Sequence, residues 1–284
     1  MSPDSLRNPF HISQLNQESP AHLMNTHLPP AEAQALTEAL GEDEPSKSEP
    51  QQDLPPADIS MSGEEKKEVE KESYWTREQY IEWAESFGKD EDWVDGTFEF
   101  QKNGTTVVNG ELNLRNTEVK QLPIGLMEVK GDLNVSENPS FKLNGYPKKV
   151  GGNFVCYATN LFSFHGMPEK VGGGIYLQNN KISSLAGLPD KMMGDLSLSH
   201  NQLENLDGIS KEISGDLILI ENNQLTSLEA LRGIKIGGDL WLKDIPATEI
   251  PEEIQIRGYI YLNVSQTDLI ADAKRKEYYV RVIS

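Results

Sequence analysis

The sequence predicts an α/β-type repeat solenoid: a curved parallel sheet of about eight short coils, preceded by an N-terminal helical cap and a disordered N-terminal tail. Three observations carry that prediction. A glycine-led phrase, "GGIYLQNNKISSLAGLP" and again "MGDLSLSHNQLENLDG", recurs at Gly110, Gly131, Gly152, Gly173, Gly194, Gly215, Gly238 and Gly258, spaced 21, 21, 21, 21, 21, 23 and 20 residues apart. A fixed period in that range is the signature of a repeat architecture. Apolar side chains stand two and four residues after each glycine, the alternation of a short strand with one buried face. The composition also changes abruptly near Ser73.

Residues 1–72 hold 9 of the 16 prolines and neither tryptophan nor tyrosine, and carry 5 basic against 15 acidic side chains. Such a segment cannot bury enough apolar surface to offset its ordering entropy, so it is expected to be disordered. Within it, "PPAEAQALTEALGEDE" offers one short helix between Pro30 and Gly41, with Leu36 and Leu40 one turn apart. A helix of that length is marginal in water and would form mainly against a partner or the rest of the protein.

Residues 73–103 are expected to form an N-terminal cap of a helix and a hairpin. Three of the four tryptophans fall in "SYWTREQYIEWAESFGKDEDWVDG". Thr76 with Gln79 has capping-box spacing; Tyr80, Trp83, Ala84 and Phe87 then mark one helical face that Gly88 closes. Solenoid ends expose core and need covering, which accounts for the aromatic density. The segment "TFEFQKNGTTVV" predicts a hairpin turning at Asn103-Gly104.

The coils occupy residues 104–270, and residues 271–284 are left as a C-terminal cap. Core positions are Leu112, Leu133, Phe154, Ile175, Leu196, Leu217, Leu240 and Ile260 at +2, and Leu114, Val135, Cys156, Leu177, Leu198, Leu219, Leu242 and Leu262 at +4. The glycine before each strand is expected to allow a tight turn into the sheet. Leu203 and Leu206, with Pro189 and Met192 of the preceding coil, typify the return path.

The phrase "GDLSLSHNQLENL" resembles the leucine-rich repeat, L-x-L-x-x-N-x-L-x-x-L, and the short period with the "LP" of "KQLPIGL" resembles its bacterial type. That resemblance covers roughly 60% of the chain and implies a leucine-rich-repeat-like fold. It implies little about activity, because such repeats serve many partners. In that family the asparagine ties its loop together. Here that position is Thr117 in the first coil, displaced in the third and sixth, and absent from the last two, so those coils should be looser or reshaped.

Outward residues at +1, +3 and +5 should line the concave face. Two apolar groups stand out there: Val155, Tyr157 and Tyr176 in the middle, and Ile218, Ile220, Trp241, Tyr259 and Tyr261 toward the C-terminal end. Large apolar side chains on a wet face point to a partner surface, and tyrosine and tryptophan dominate interface hot spots. Asp195, Asp216 and Asp239 would stack about 4.8 Å apart. Repulsion should raise their pKa values, and a solvated ladder is expected in preference to a metal site.

No catalytic arrangement is legible. The five histidines lack metal-ligand spacing, and Cys156 occupies a core position. Leucine-rich effectors with ubiquitin-ligase activity carry a C-terminal catalytic domain, which the few residues after Ile270 do not provide. The formal charge of −19, from 45 acidic and 26 basic residues, argues against nucleic acid and anionic membranes as partners. The densest basic run is Lys274-Arg275-Lys276. One cysteine, no secretory signal and no long apolar run predict a cytoplasmic protein. The function expected is a non-enzymatic interaction scaffold without cofactors. It would bind a protein through Tyr157, Tyr176, Ile218, Ile220, Asp239, Trp241, Tyr259 and Tyr261, and that protein would present basic residues around an apolar anchor. The alternative is a leaderless secreted effector or adaptor whose acidic tail recruits a second protein.

Overall fold

Each coil is built from two short strands meeting at the repeat glycine. The computed structural model describes residues 73–284; the tail expected over 1–72, with its short helix, lies outside the described residues. The +2 and +3 residues form strands from Leu112–Asn113 to Ile260–Asn263, which stack in parallel with Leu112 beside Leu133 and Leu240 beside Ile260. The result is a parallel β-solenoid of about eight coils with the expected period.

A second strand per coil, just before the glycine, was not expected from the sequence. Thr106–Val108, Leu126–Val129, Lys149–Val150 and Lys170–Val171 stack in one sheet. Lys191–Met192, Glu212–Ile213, Lys235–Ile236 and Gln255–Ile256 stack in another. Their inward residues, such as Val150, Met192, Ile213 and Ile236, face the +2 and +4 side chains across one continuous core. Their outward residues include Lys149, Lys170, Lys191 and Lys235, a stripe that no linear run of the sequence displays. Carboxylates interleave it: Lys149 pairs with Glu128 at 2.6 Å and Lys191 with Glu212 at 2.9 Å.

The glycines have a different reason from the one expected. None of the eight repeat glycines has positive φ. What requires them is the approach of the preceding coil. Gly131 N–H donates to Gly110 O at 2.8 Å and Gly152 N–H to Gly131 O at 3.0 Å. The same bond recurs from Gly173 to Gly152, Gly215 to Gly194, Gly238 to Gly215 and Gly258 to Gly238. A Cβ on Gly131 would sit 2.8 to 2.9 Å from the backbone of Gly110 and Glu111, whereas Gly110, with no coil before it, has open space.

The ladder breaks once. Among the described residues, neither Gly194 nor Asp195 donates its N–H to the preceding coil, and the second sheet divides at the same place, between Lys170–Val171 and Lys191–Met192. The concave sheet still bridges this joint, with Ile175 N–H to Asp195 O at 2.8 Å and Leu177 N–H to Ser197 O at 2.9 Å.

After the first seven repeat strands the chain turns through a left-handed residue at +6: Asn116, Glu137, Ala158, Asn179, His200, Glu221 and Asp244, with φ from 51° to 58°. The next side chain ties that corner. Asn201 Nδ2 donates to Leu177 O and Leu198 O, both at 3.0 Å, and its Oδ1 accepts from Ile182 N–H at 2.9 Å. Asn138, Asn180 and Asn222 repeat the pattern. The asparagine of the sixth coil is therefore in register, not displaced. Of the substituted coils, the seventh carries apolar Ile245 at that place and has no such tie, whereas the first, third and last keep one. Thr117 Oγ1 donates to Leu114 O, Thr159 Oγ1 to Cys156 O, and Gln266 Nε2 reaches Leu242 O and Ile245 O.

At the N-terminal end, helix α1 (Arg77–Glu85) begins with the expected capping box of Thr76 and Gln79 and buries Tyr80, Trp83 and Ala84. A second helix, α2 (Glu91–Thr97), was not foreseen; Asp90 caps it by accepting Trp93 N–H at 2.9 Å. The hairpin forms as expected, Glu99–Phe100 against Thr106–Val108, with Gly104 at φ 84°. Trp83 Nε1 donates to Gln121 O at 2.9 Å and ties α1 to the first coil. At the other end, helix α3 (Thr267–Arg275) buries Leu269 and Ala273 against the last coil, and its Asp272 accepts Ile250 N–H at 2.7 Å. The chain then returns as a ninth concave strand, Val280–Ile283.

Gly131→Ala should lower the stability measured by urea unfolding by about 1–3 kcal/mol, the cost of overpacking. Gly110→Ala, the same chemical change without a preceding coil, should stay within about 0.5 kcal/mol of wild type.

Candidate functional site

The concave face is a set of three side-chain rows, each held by the register of the strands beneath it. In the +1 row the side-chain oxygen of one coil accepts the backbone N–H of the next. Asp132 Oδ1 takes Asn153 N–H at 2.7 Å and Asn153 Oδ1 takes Gly174 N–H at 2.8 Å. Asp195 takes Asp216 N–H at 2.9 Å, Asp216 takes Asp239 N–H at 2.7 Å, and Asp239 takes Tyr259 N–H at 2.8 Å. Carboxylates that should repel one another are thus each neutralised in part by a peptide dipole. Gly174, lacking a side chain, interrupts the row at the joint already seen in the glycine ladder.

Tyr176 occupies the space Gly174 leaves. Its ring crowds the place of the missing Cβ, and its hydroxyl donates to Asp195 Oδ2 at 2.9 Å. Burial, then the neighbouring carboxylates, push its pKa well above the ordinary phenol value. Tyr157 leans the other way: its hydroxyl donates to Glu137 Oε1 at 3.0 Å, and the Arg115 guanidinium lies 5.6 Å from its ring centre. The middle group is therefore divided, with Val155 and Tyr176 buried and Tyr157 half-buried.

The C-terminal group holds together. Trp241 and Tyr261 stack with centroids 3.7 Å apart and planes within 5°. Tyr259 meets the edge of Tyr261 at 6.5 Å, and Tyr279, just before the ninth strand, lies 6.1 Å from Tyr259. Arg281 sits 4.1 Å from the centre of the Tyr259 ring. Burial differs among these side chains. Ile218 is only 3% exposed, Ile220, Asp239, Trp241 and Tyr261 are half-buried, and Tyr259 is 38% exposed. Buried Ile218 supports the shelf, whereas Tyr259 and Tyr279 present apolar surface to solvent. Sequence reading missed Tyr279 and Arg281, although counting twenty residues on from Gly258 places them at +1 and +3 of a further coil.

The electrostatics of the acidic row centre on Asp216. Burial raises its carboxyl pKa; the Asp239 N–H opposes the shift, and the Asp195 and Asp239 charges add to it. The Trp241 indole N–H also opposes it from close by, yet makes no hydrogen bond of full geometry. The Cys156 thiol is buried, pushed up to about 12 by that burial, and lies 3.3 Å from Thr159 Oγ1. His200 Nδ1 lies 3.1 Å from Glu221 Oε2 on the exposed +6 corner. Among the described residues no three histidine, cysteine, aspartate or glutamate side chains group to hold a metal, and no helix is long and apolar enough to cross a membrane.

A carboxyl whose pKa is higher folded than unfolded favours folding most below its unfolded pKa. That contribution is lost as pH rises through the folded value. Asp216→Asn keeps an oxygen for Asp239 N–H but removes the charge. It should equal or exceed wild-type stability at pH 7, and this advantage should shrink as pH falls toward 4, measured by thermal unfolding across pH.

Compared with known protein families, curated proteins and solved structures, the chain has no match.

Proposed function

We propose that this protein is a non-enzymatic, leucine-rich-repeat-like scaffold that binds another protein on the C-terminal half of its concave face. The observation that carries this reading is the aromatic shelf of Trp241, Tyr261, Tyr259 and Tyr279, which stays partly open although the core beneath it is closed. Stacking fixes Trp241 and Tyr261 before any partner arrives, so little side-chain entropy remains to be lost there on binding. Asp216 and Asp239 border the shelf on its acidic side, which suits a partner carrying basic residues around an apolar anchor. Helices α1 and α2 act as the end cap of the stack: Tyr80, Trp83 and Phe98 cover apolar side chains of the first coil that no earlier coil covers. The one cysteine, Cys156, is buried in the core, which suits a packing role for it better than a nucleophilic one.

A random peptide display library tests the reading. Enriched peptides should pair lysine or arginine with an aromatic or aliphatic anchor, and Tyr259→Ser should weaken them roughly tenfold or more without changing the thermal midpoint by more than about 2 °C. Enrichment of peptides without basic residues, or binding undiminished by Tyr259→Ser, would refute it.

A further inference from the structure

The concave sheet has two unlike edges. At the first, the strand Leu112–Asn113 is two residues long and flanked by exposed Glu111 and Arg115. At the other, Val280–Ile283 is four residues long and pairs with Ile260–Asn263 along its full length, on one side only among the described residues. Proteins commonly blunt such edges with proline, bulges or several charges. This strand has no proline, keeps unbroken register and carries a single charge, Arg281.

Among the described residues, the backbone of this edge is left open in a defined pattern. The carbonyls of Tyr279 and Ile283 accept from Ile260 and Val264. Because alternate residues of a parallel ladder bond to opposite neighbours, the N–H and C=O groups of Val280 and Val282 point to the open side. Apolar exposure gathers here too: Tyr279 is 72%, Val264 62% and Val282 43% exposed. The local charge runs against that of the whole chain. Residues 274–284 contain Lys274, Arg275, Lys276 and Arg281 against Glu277 alone. Arg281 rests on the Tyr259 ring and has no carboxylate within ion-pair distance among the described residues.

We propose that this edge takes up an extended segment of a partner protein as a tenth strand, the segment alternating apolar side chains with a carboxylate beside Arg281. Main-chain bonds to Val280 and Val282 supply affinity, and the alternate side chains supply selection. Apolar residues would cover Val280 and Val282 on the core side of the sheet. On the concave side, a glutamate or aspartate would stand across from Arg281 at cross-strand distance. A second copy of the chain fits this edge less well, since two-fold pairing brings each Arg281 toward its mate between two molecules of charge −19. The inference goes beyond the aromatic shelf and stands or falls separately, because the shelf selects cations and this edge selects carboxylates.

The test uses the full chain and a capped peptide of about seven residues alternating valine with glutamate and threonine, with a lysine-for-glutamate peptide as control. The glutamate peptide should bind saturably, slow amide exchange at Val280 and Val282, and bind roughly tenfold or more tighter than the lysine peptide. Arg281→Glu should reverse that preference while leaving the fold intact, since the side chain lies on the surface. Val282→Pro, which deletes an open N–H, should abolish binding of both peptides. No saturable binding, or the same preference in Arg281→Glu, would overturn the proposal. So would protection of Val280 and Val282 that grows with protein concentration as the mass doubles, which would give the edge to a second copy.

Discussion

The close approach of successive coils at the repeat glycine is the constraint from which the rest of the structure follows. Gly131 N–H reaches Gly110 O at 2.8 Å, and a Cβ at Gly131 would meet backbone at the same distance. No other residue permits both the bond and the spacing. Once the corner is fixed, the strands on either side of it fall into register. Leu196 then lies beside Leu217 in one sheet and Met192 beside Ile213 in the other. The core between the sheets is a consequence of that register, as is the alignment of outward rows on the concave face.

The same constraint explains where the surface is uneven. At Gly174 the acidic row loses its side chain, the glycine ladder skips a bond and the second sheet divides, all between the fourth and fifth coils. Tyr176 fills the gap by lying over Gly174 and donating to Asp195. An aromatic residue on the concave face is thereby absorbed into the structure, whereas Tyr259, four coils on, has an ordinary corner below it and remains available. Position in the stack, not residue type, separates a supporting aromatic from a presenting one.

Much of this was legible in the sequence, because a period multiplies a weak local signal by the number of coils. The +2 and +4 leucines, the capping box at Thr76 and the Asn103-Gly104 turn each read directly. The second strand of each coil did not, since Lys149-Val150 or Glu212-Ile213 is too short to show alternation alone. The lysine stripe was hidden because its members are one or two periods apart in sequence and line up only in the stack. Register also hid the ninth strand: Tyr278 stands where the glycine should be, and α3 replaces the usual return path. The reason for the glycines was misread, because sequence shows which residue recurs and not which atom it must avoid. Of the concave residues, sequence gave the row but not the burial that covers Tyr176 and Ile218 while leaving Tyr259 open.

Amide hydrogen exchange resolved residue by residue tests the corner ladder most directly. Protection follows the bonds each N–H makes and the local free energy of opening. The account predicts slow exchange at Gly152, Gly173, Gly215 and Gly238, and exchange roughly tenfold or more faster at Gly194 and Asp195, where the ladder is interrupted. Equal protection at Gly194 and Asp195, or rapid exchange at all of these glycines, would contradict the claim that the glycine corner holds the stack together.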